Sequence, residues 1–97
     1  MEFLAHVSFT WPESLSPEAR KSVLDEEVKA VAELARQGHF KRAWRIVGRR
    51  EMWTLWQAQD GNEFHAIVSA LPLWPYMELT VHPLAAHPID PAPPAPG

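Results

Sequence analysis

Glu27 is the residue whose type and spacing point most directly to chemistry. At 100° per residue, Val23, Ala30, Val31 and Leu34 fall within one apolar helical stripe, while Lys21, Asp25, Lys29, Glu33 and Arg36 gather on the opposite, solvated face. Glu27 sits in the middle of the apolar stripe. A carboxylate there is desolvated, paired or used, because burying an unpaired charge is costly and the group answers by raising its pKa. Helix geometry leaves open a general base, a residue where the stripe runs past the core edge, and a partner for an arginine from a sheet. His82 and His87, five apart near a proline-rich end, lack a third convergent ligand, so no metal site is expected. The absence of cysteine removes thiol catalysis, disulfides and the usual zinc frameworks together.

The elements that must position Glu27 are legible in turn. Phe3, Ala5, Val7 and Phe9 alternate with Glu2, His6, Ser8 and Thr10, the period-2 pattern of a strand. Ser16 caps a helix running to Gln37, with Pro17 at its first position and Gly38 after its last turn. From His39 to Gly48 the row Phe40, Arg42, Trp44, Ile46 alternates with Lys41, Ala43, Arg45, Val47. A second strand from Glu51 to Ala58 follows after a joint short enough for a hairpin. Asp60 and Glu63 have capping-box spacing ahead of a shorter helix over Gly61–Ala70. Pro72 and Pro75 force a corner, and Tyr76–His82 reads as the last strand. Beyond Pro83 periodicity disappears, and five of the last ten residues are proline, consistent with an extended tail.

This βαββαβ order most economically forms an α+β, ferredoxin-like fold, a four-stranded antiparallel sheet with both helices on one face. One domain over residues 1–87 and a proline-rich tail over 88–97 are expected. Leu4 and Trp44 or Trp53 keep the other sheet face too apolar for water, which favours a homo-oligomer built on a dimer, the dimeric α+β barrel arrangement. Net charge −3 and a pI near 5.9 argue against a general nucleic-acid or membrane-surface role. With no apolar run near the ~20 residues of a membrane span and no signal-peptide pattern, a cytoplasmic location is expected. The five tryptophans suit a pocket lining or subunit contacts.

Several segments together resemble the muconolactone Δ-isomerases of the aromatic-degrading 3-oxoadipate pathway. They are His6-Val7, Glu27, Trp44-Arg45-Ile46-Val47-Gly48, Phe64-His65, Leu71-Pro-Leu-Trp-Pro-Tyr-Met77, Pro83-Leu84 and His87-Pro88. The stretch from Leu71 to Met77 is the most specific, since two prolines, the aromatics and the place after a short helix match together. The resemblance implies a dimer-based decamer with exchanged C-terminal segments, no metal or organic cofactor, and a small acidic lactone as substrate. It implies a proton shift that passes through a dienolate. Such a reaction needs a base with a pKa near working pH, a dry pocket, stabilisation of the enolate oxygen and a cation for the substrate carboxylate. On this reading Glu27 is the base, Arg45 holds the carboxylate through a bidentate fork, and His6 donates to the lactone oxygen or carries a second proton. Strand parity puts His6 on the face opposite Phe3 and Val7, so if those pack under the helices, His6 and Glu27 of one subunit cannot meet. Trp44, His65 and Tyr76 complete the candidate substrate-binding set.

The chain departs from the family pattern after Gly48, where a Tyr and, two residues later, an Asn usually line the pocket. Here Arg50 and Met52 stand in those positions, and Trp53 and Trp56 are bulky. A related acidic lactone is therefore a candidate substrate beside muconolactone. Rival functions are a cofactor-free monooxygenase or a dehalogenating lactone enzyme on the same fold, or a non-catalytic oligomeric binding module. An RNA-binding sheet is disfavoured because Glu51-Met-Trp-Thr-Leu-Trp56 lacks the Lys/Arg-Gly-aromatic signature of RNA-recognition domains.

Overall fold

Alternation over the first ten residues builds β1 (Glu2–Phe9), whose Phe3, Ala5 and Val7 are buried in the computed structural model, which describes residues 1–92. Ser16 then opens α1 (Pro17–Arg36) by accepting a hydrogen bond from the Ala19 N–H at 3.1 Å, with Pro17 in the first turn. Gly38, at φ +88°, turns the chain out of α1 into β2 (Phe40–Arg45). A turn closed by Arg49 N–H to Ile46 C=O (3.2 Å) leads to β3 (Glu51–Gln57). Its third residue, Gly48, has φ +78°, which a type II turn requires.

Asp60 caps α2 (Gly61–Ser69) by accepting from the Glu63 N–H at 2.9 Å, while the Glu63 carboxylate reaches back to the Gln59 N–H. A 3-10 turn over Trp74–Tyr76 rounds the proline corner into β4 (Met77–Leu84). The last strand is thus longer than Tyr76–His82. Pro83 pairs opposite Phe3, which a proline can do because β4 is an edge strand.

The sheet order is β2-β3-β1-β4, all antiparallel, as the ferredoxin-like pattern demands. Both helices cover one face. Phe3 stacks on Phe64 of α2 with ring centroids 4.6 Å apart, and Ala30, Val31 and Leu34 of α1 pack on the same cluster of Phe3, Ala5, Trp56, Phe64, Val68 and Leu71. The other face carries His6, which pairs with Trp53, and Trp44, also opposite Trp53. The simple alternation expected for β2 fails in one place. A register shift between Phe40 and Arg42 turns Phe40 onto the helix side, edge-on to Trp56 at 4.8 Å, while Trp44 faces away.

Two features bear on assembly. No residue of α1 is fully buried, and Leu24 and Val28 are 40% and 69% exposed. Residues 85–92 are all exposed, Ile89 among them, whereas positions 93–97 of the expected tail lie outside the described residues. No helix among the described residues is long and apolar enough to cross a membrane.

Candidate active site

The stripe that carries Glu27 does not lie flat on the sheet. Between α1 and the sheet is a cavity of about 390 Å³, walled by Val7 and Phe9 of β1, Val28 and Val31 of α1, Met52, Thr54 and Trp56 of β3, and Met77 and Leu79 of β4. Leu71 and Leu73 close it at the proline corner. Glu27 and Thr54 bring the polar side chains of this lining. The Thr54 hydroxyl is already committed, donating to the Ala5 carbonyl at 3.1 Å and accepting from the Trp56 indole N–H at 2.8 Å. Glu27 is held by one oxygen, its Oε1 accepting from the Leu73 N–H at 3.0 Å. Burial pushes the Glu27 carboxyl above its ordinary range, and the Leu73 N–H draws it back in part. No arginine pairs with it among the described residues, so of the alternatives open from helix geometry the ion pair falls away.

A second hollow of about 290 Å³ adjoins the first, and Phe9 and Met52 line both. Its other walls are Ala43, Trp44, Arg45, Arg49, Arg50 and Glu51, which makes it basic where the cavity is apolar. Arg45 reaches it because it pairs with Met52 across β2 and β3. The Arg49 guanidinium bonds the Glu51 carboxylate and holds its pKa below the ordinary range, with His6 on its other oxygen adding to the effect.

Of the residues singled out from sequence, Glu27 and Met52 line the cavity, and Arg45, Arg50, Trp44 and Met52 line the basic hollow. His6 is not brought to Glu27. It lies on the far face of the sheet, its Nε2 2.8 Å from Glu51 and its ring edge-on to Trp53 at 5.2 Å, because residues 6 and 7 of one strand point to opposite faces. His65 and Tyr76 line neither hollow. The His65 ring packs edge-on against Trp74 at 5.7 Å, and the Tyr76 ring lies 5.1 Å from that of Trp11. Arg50, expected at the pocket position of the family tyrosine, stands in the adjoining hollow and not in the Glu27 cavity. Two contributors were not anticipated. Thr54 is signalled by its parity with Met52 and Trp56, and the Leu73 N–H only by the neighbouring prolines that free it from regular pairing.

The sequence pattern of the muconolactone delta-isomerase family matches residues 1–90. The muconolactone Delta-isomerase of Rhodococcus opacus is 34% identical over 79 residues, which is 81% of this chain and 85% of that protein. The Acinetobacter baylyi protein of the same name is 31% identical over 88 residues, 91% of this chain and 92% of that one. Among solved structures, that of a muconolactone isomerase at 3.3 Å resolution superposes with a TM-score of 0.88 at 24% identity, covering 97% of this chain and 98% of that one. A 5-chloro-2-hydroxyhydroquinone dehydrochlorinase from Burkholderia phenoliruptrix shares the fold at a TM-score of 0.66 and 15% identity, covering 90% and 96%. With the family pattern spanning residues 1–90 and these relatives matched over 81% and 91% of the chain, this protein belongs to the muconolactone delta-isomerase family.

Proposed function

We propose that this chain isomerises muconolactone, or a close acidic relative, to the corresponding enol-lactone, with Glu27 as the proton carrier. The observation that carries the reading is a carboxylate held by one oxygen in a cavity that is otherwise apolar apart from Thr54, whose hydroxyl is already engaged within the protein. The free oxygen takes a ring proton as the C–H bond breaks, and the electron pair spreads into a dienolate with its charge on the lactone carbonyl oxygen. Protonated Glu27 then gives a proton to a different carbon of the conjugated system, so the double bond moves and base and substrate composition are restored. Dry walls favour this chemistry because they raise the basicity of the carboxylate and exclude water from the carbanion.

The Leu73 N–H acts as an orienter, fixing which oxygen faces the substrate. Arg45, across the shared wall of Phe9 and Met52, receives the carboxymethyl carboxylate and keeps the ring over Glu27. The positive hollow also favours charge developing on the substrate in the transition state. The same reading makes the working unit a homo-oligomer of cytoplasmic location with residues 1–87 as its domain, and the decamer is its expected size. Purified protein incubated with muconolactone and followed by NMR should show the enol-lactone signals. Glu27→Gln should lower kcat by about 10²- to 10⁴-fold, the loss typical of a removed general base. A parent chain inert on muconolactone and on its acidic lactone relatives alike, or a Gln variant within a few-fold of the parent, would remove this reading.

A further inference from the structure

The basic hollow holds more positive charge than one carboxylate uses. Three arginines face a single glutamate there, and Arg49 is the one that glutamate neutralises. Glu51 has nothing left to give, since its other oxygen is on His6. Arg45 and Arg50 have no carboxylate within 4.0 Å among the described residues. Both therefore remain available to a ligand.

Bulk water hydrates an exposed guanidinium. A ligand that fills the hollow displaces that water, and a guanidinium left without a counter-charge then loses hydration for nothing in return. A lactone with one carboxylate matches one arginine and strands the other. One with two carboxylates matches both, at the two ends of the turn from which Arg45 and Arg50 project. Met52, on the wall shared with the cavity, has only a weak acceptor in its thioether and adds no donor that would favour a neutral substituent.

We propose that the hollow is a two-carboxylate subsite, Arg45 and Arg50 each binding one, so that the preferred substrate is an unsaturated γ-lactone dicarboxylate. The proposal rests on the isomerase reading for the ring's place over Glu27, and it adds the substrate class. Arg50 is then the residue that sets specificity, because it meets the carboxylate that muconolactone lacks.

The test compares muconolactone with a γ-lactone of the same ring that bears a second carboxylate. In the parent, kcat/KM for the dicarboxylate should exceed that for muconolactone by about tenfold or more, the scale of one charge-assisted hydrogen bond. The preference should shrink as salt is raised. Arg50→Gln should cut the ratio of the two kcat/KM values by about tenfold, and Arg50→Lys should restore part of it. Calorimetric binding of both lactones to Glu27→Gln, with and without Arg50→Gln, reads the subsite independently of turnover. A parent that binds and turns over both lactones equally, or a ratio unmoved by Arg50→Gln, overturns the two-carboxylate subsite and leaves the isomerase reading standing. Loss of that reading shows differently, as turnover indifferent to Glu27.

Discussion

At the scale of single residues, Glu27 carries a cost that the rest of the chain supports. Its carboxyl is raised by burial, so the folded state binds its proton more tightly than the unfolded state does. The sign follows: stability associated with Glu27 is fully present below the ordinary carboxylate pKa and is lost as pH rises through the raised value. Glu27→Gln should therefore be at least as stable as the parent near neutral pH, and its advantage should fade on acidification across that window. Urea unfolding of both proteins at several pH values measures it, and an advantage that grows on acidification would contradict the burial of the charge. Thr54 is the complementary case, a buried hydroxyl with both bonds made. Thr54→Val leaves the Trp56 indole N–H without its acceptor and should cost about 1–3 kcal/mol in the same measurement. Glu27 stands out in the sequence because helical periodicity places it among apolar side chains. The Leu73 N–H that orients it has no such signature, since its role depends on where the 3-10 turn sets a backbone group against α1.

At the scale of elements, the turn between β2 and β3 is what presents the arginines. Gly48 occupies it at φ +78°, a conformation that a side chain strains, although the space around it is open. Gly48→Ala should destabilise the protein by about 1 kcal/mol or more, and should raise KM for the lactone more than it lowers kcat, because it moves the carboxylate partners and not the base. A change confined to kcat would place the hairpin outside substrate binding. The six main elements and the antiparallel ferredoxin-like sheet were all readable from alternation, caps and prolines. The exceptions have local causes. β4 runs on through Pro83 because its outer edge needs no donor, and the β2 register shift separates Phe40 from Trp44, which simple parity had put on one face. Parity read correctly for β1 kept His6 away from Glu27, and a resemblance over the same residues had suggested that they act together.

At the scale of the whole molecule, apolar surface is left over. Val28 beside the cavity, Trp44 on the outer sheet face and Ile89 in the C-terminal segment are all exposed, and no part of α1 is fully buried. Light scattering at micromolar concentration should accordingly report a dimer or a larger assembly, and deletion of the chain after Leu84 should weaken it; a parent that stays monomeric would contradict this account of the surface. Assembly size was not legible from the chain, because an apolar face announces burial and not the number of copies that provide it. The central claim is that Glu27 moves the proton, and the pH dependence of kcat/KM on muconolactone tests it most directly. The parent should show an acidic limb, rising as Glu27 ionises with a midpoint above the ordinary carboxylate value, and then a plateau. Glu27→Gln should be slower by about 10²-fold or more at the plateau and should lack the limb; a variant that keeps both the rate and the limb would show that another group carries the proton.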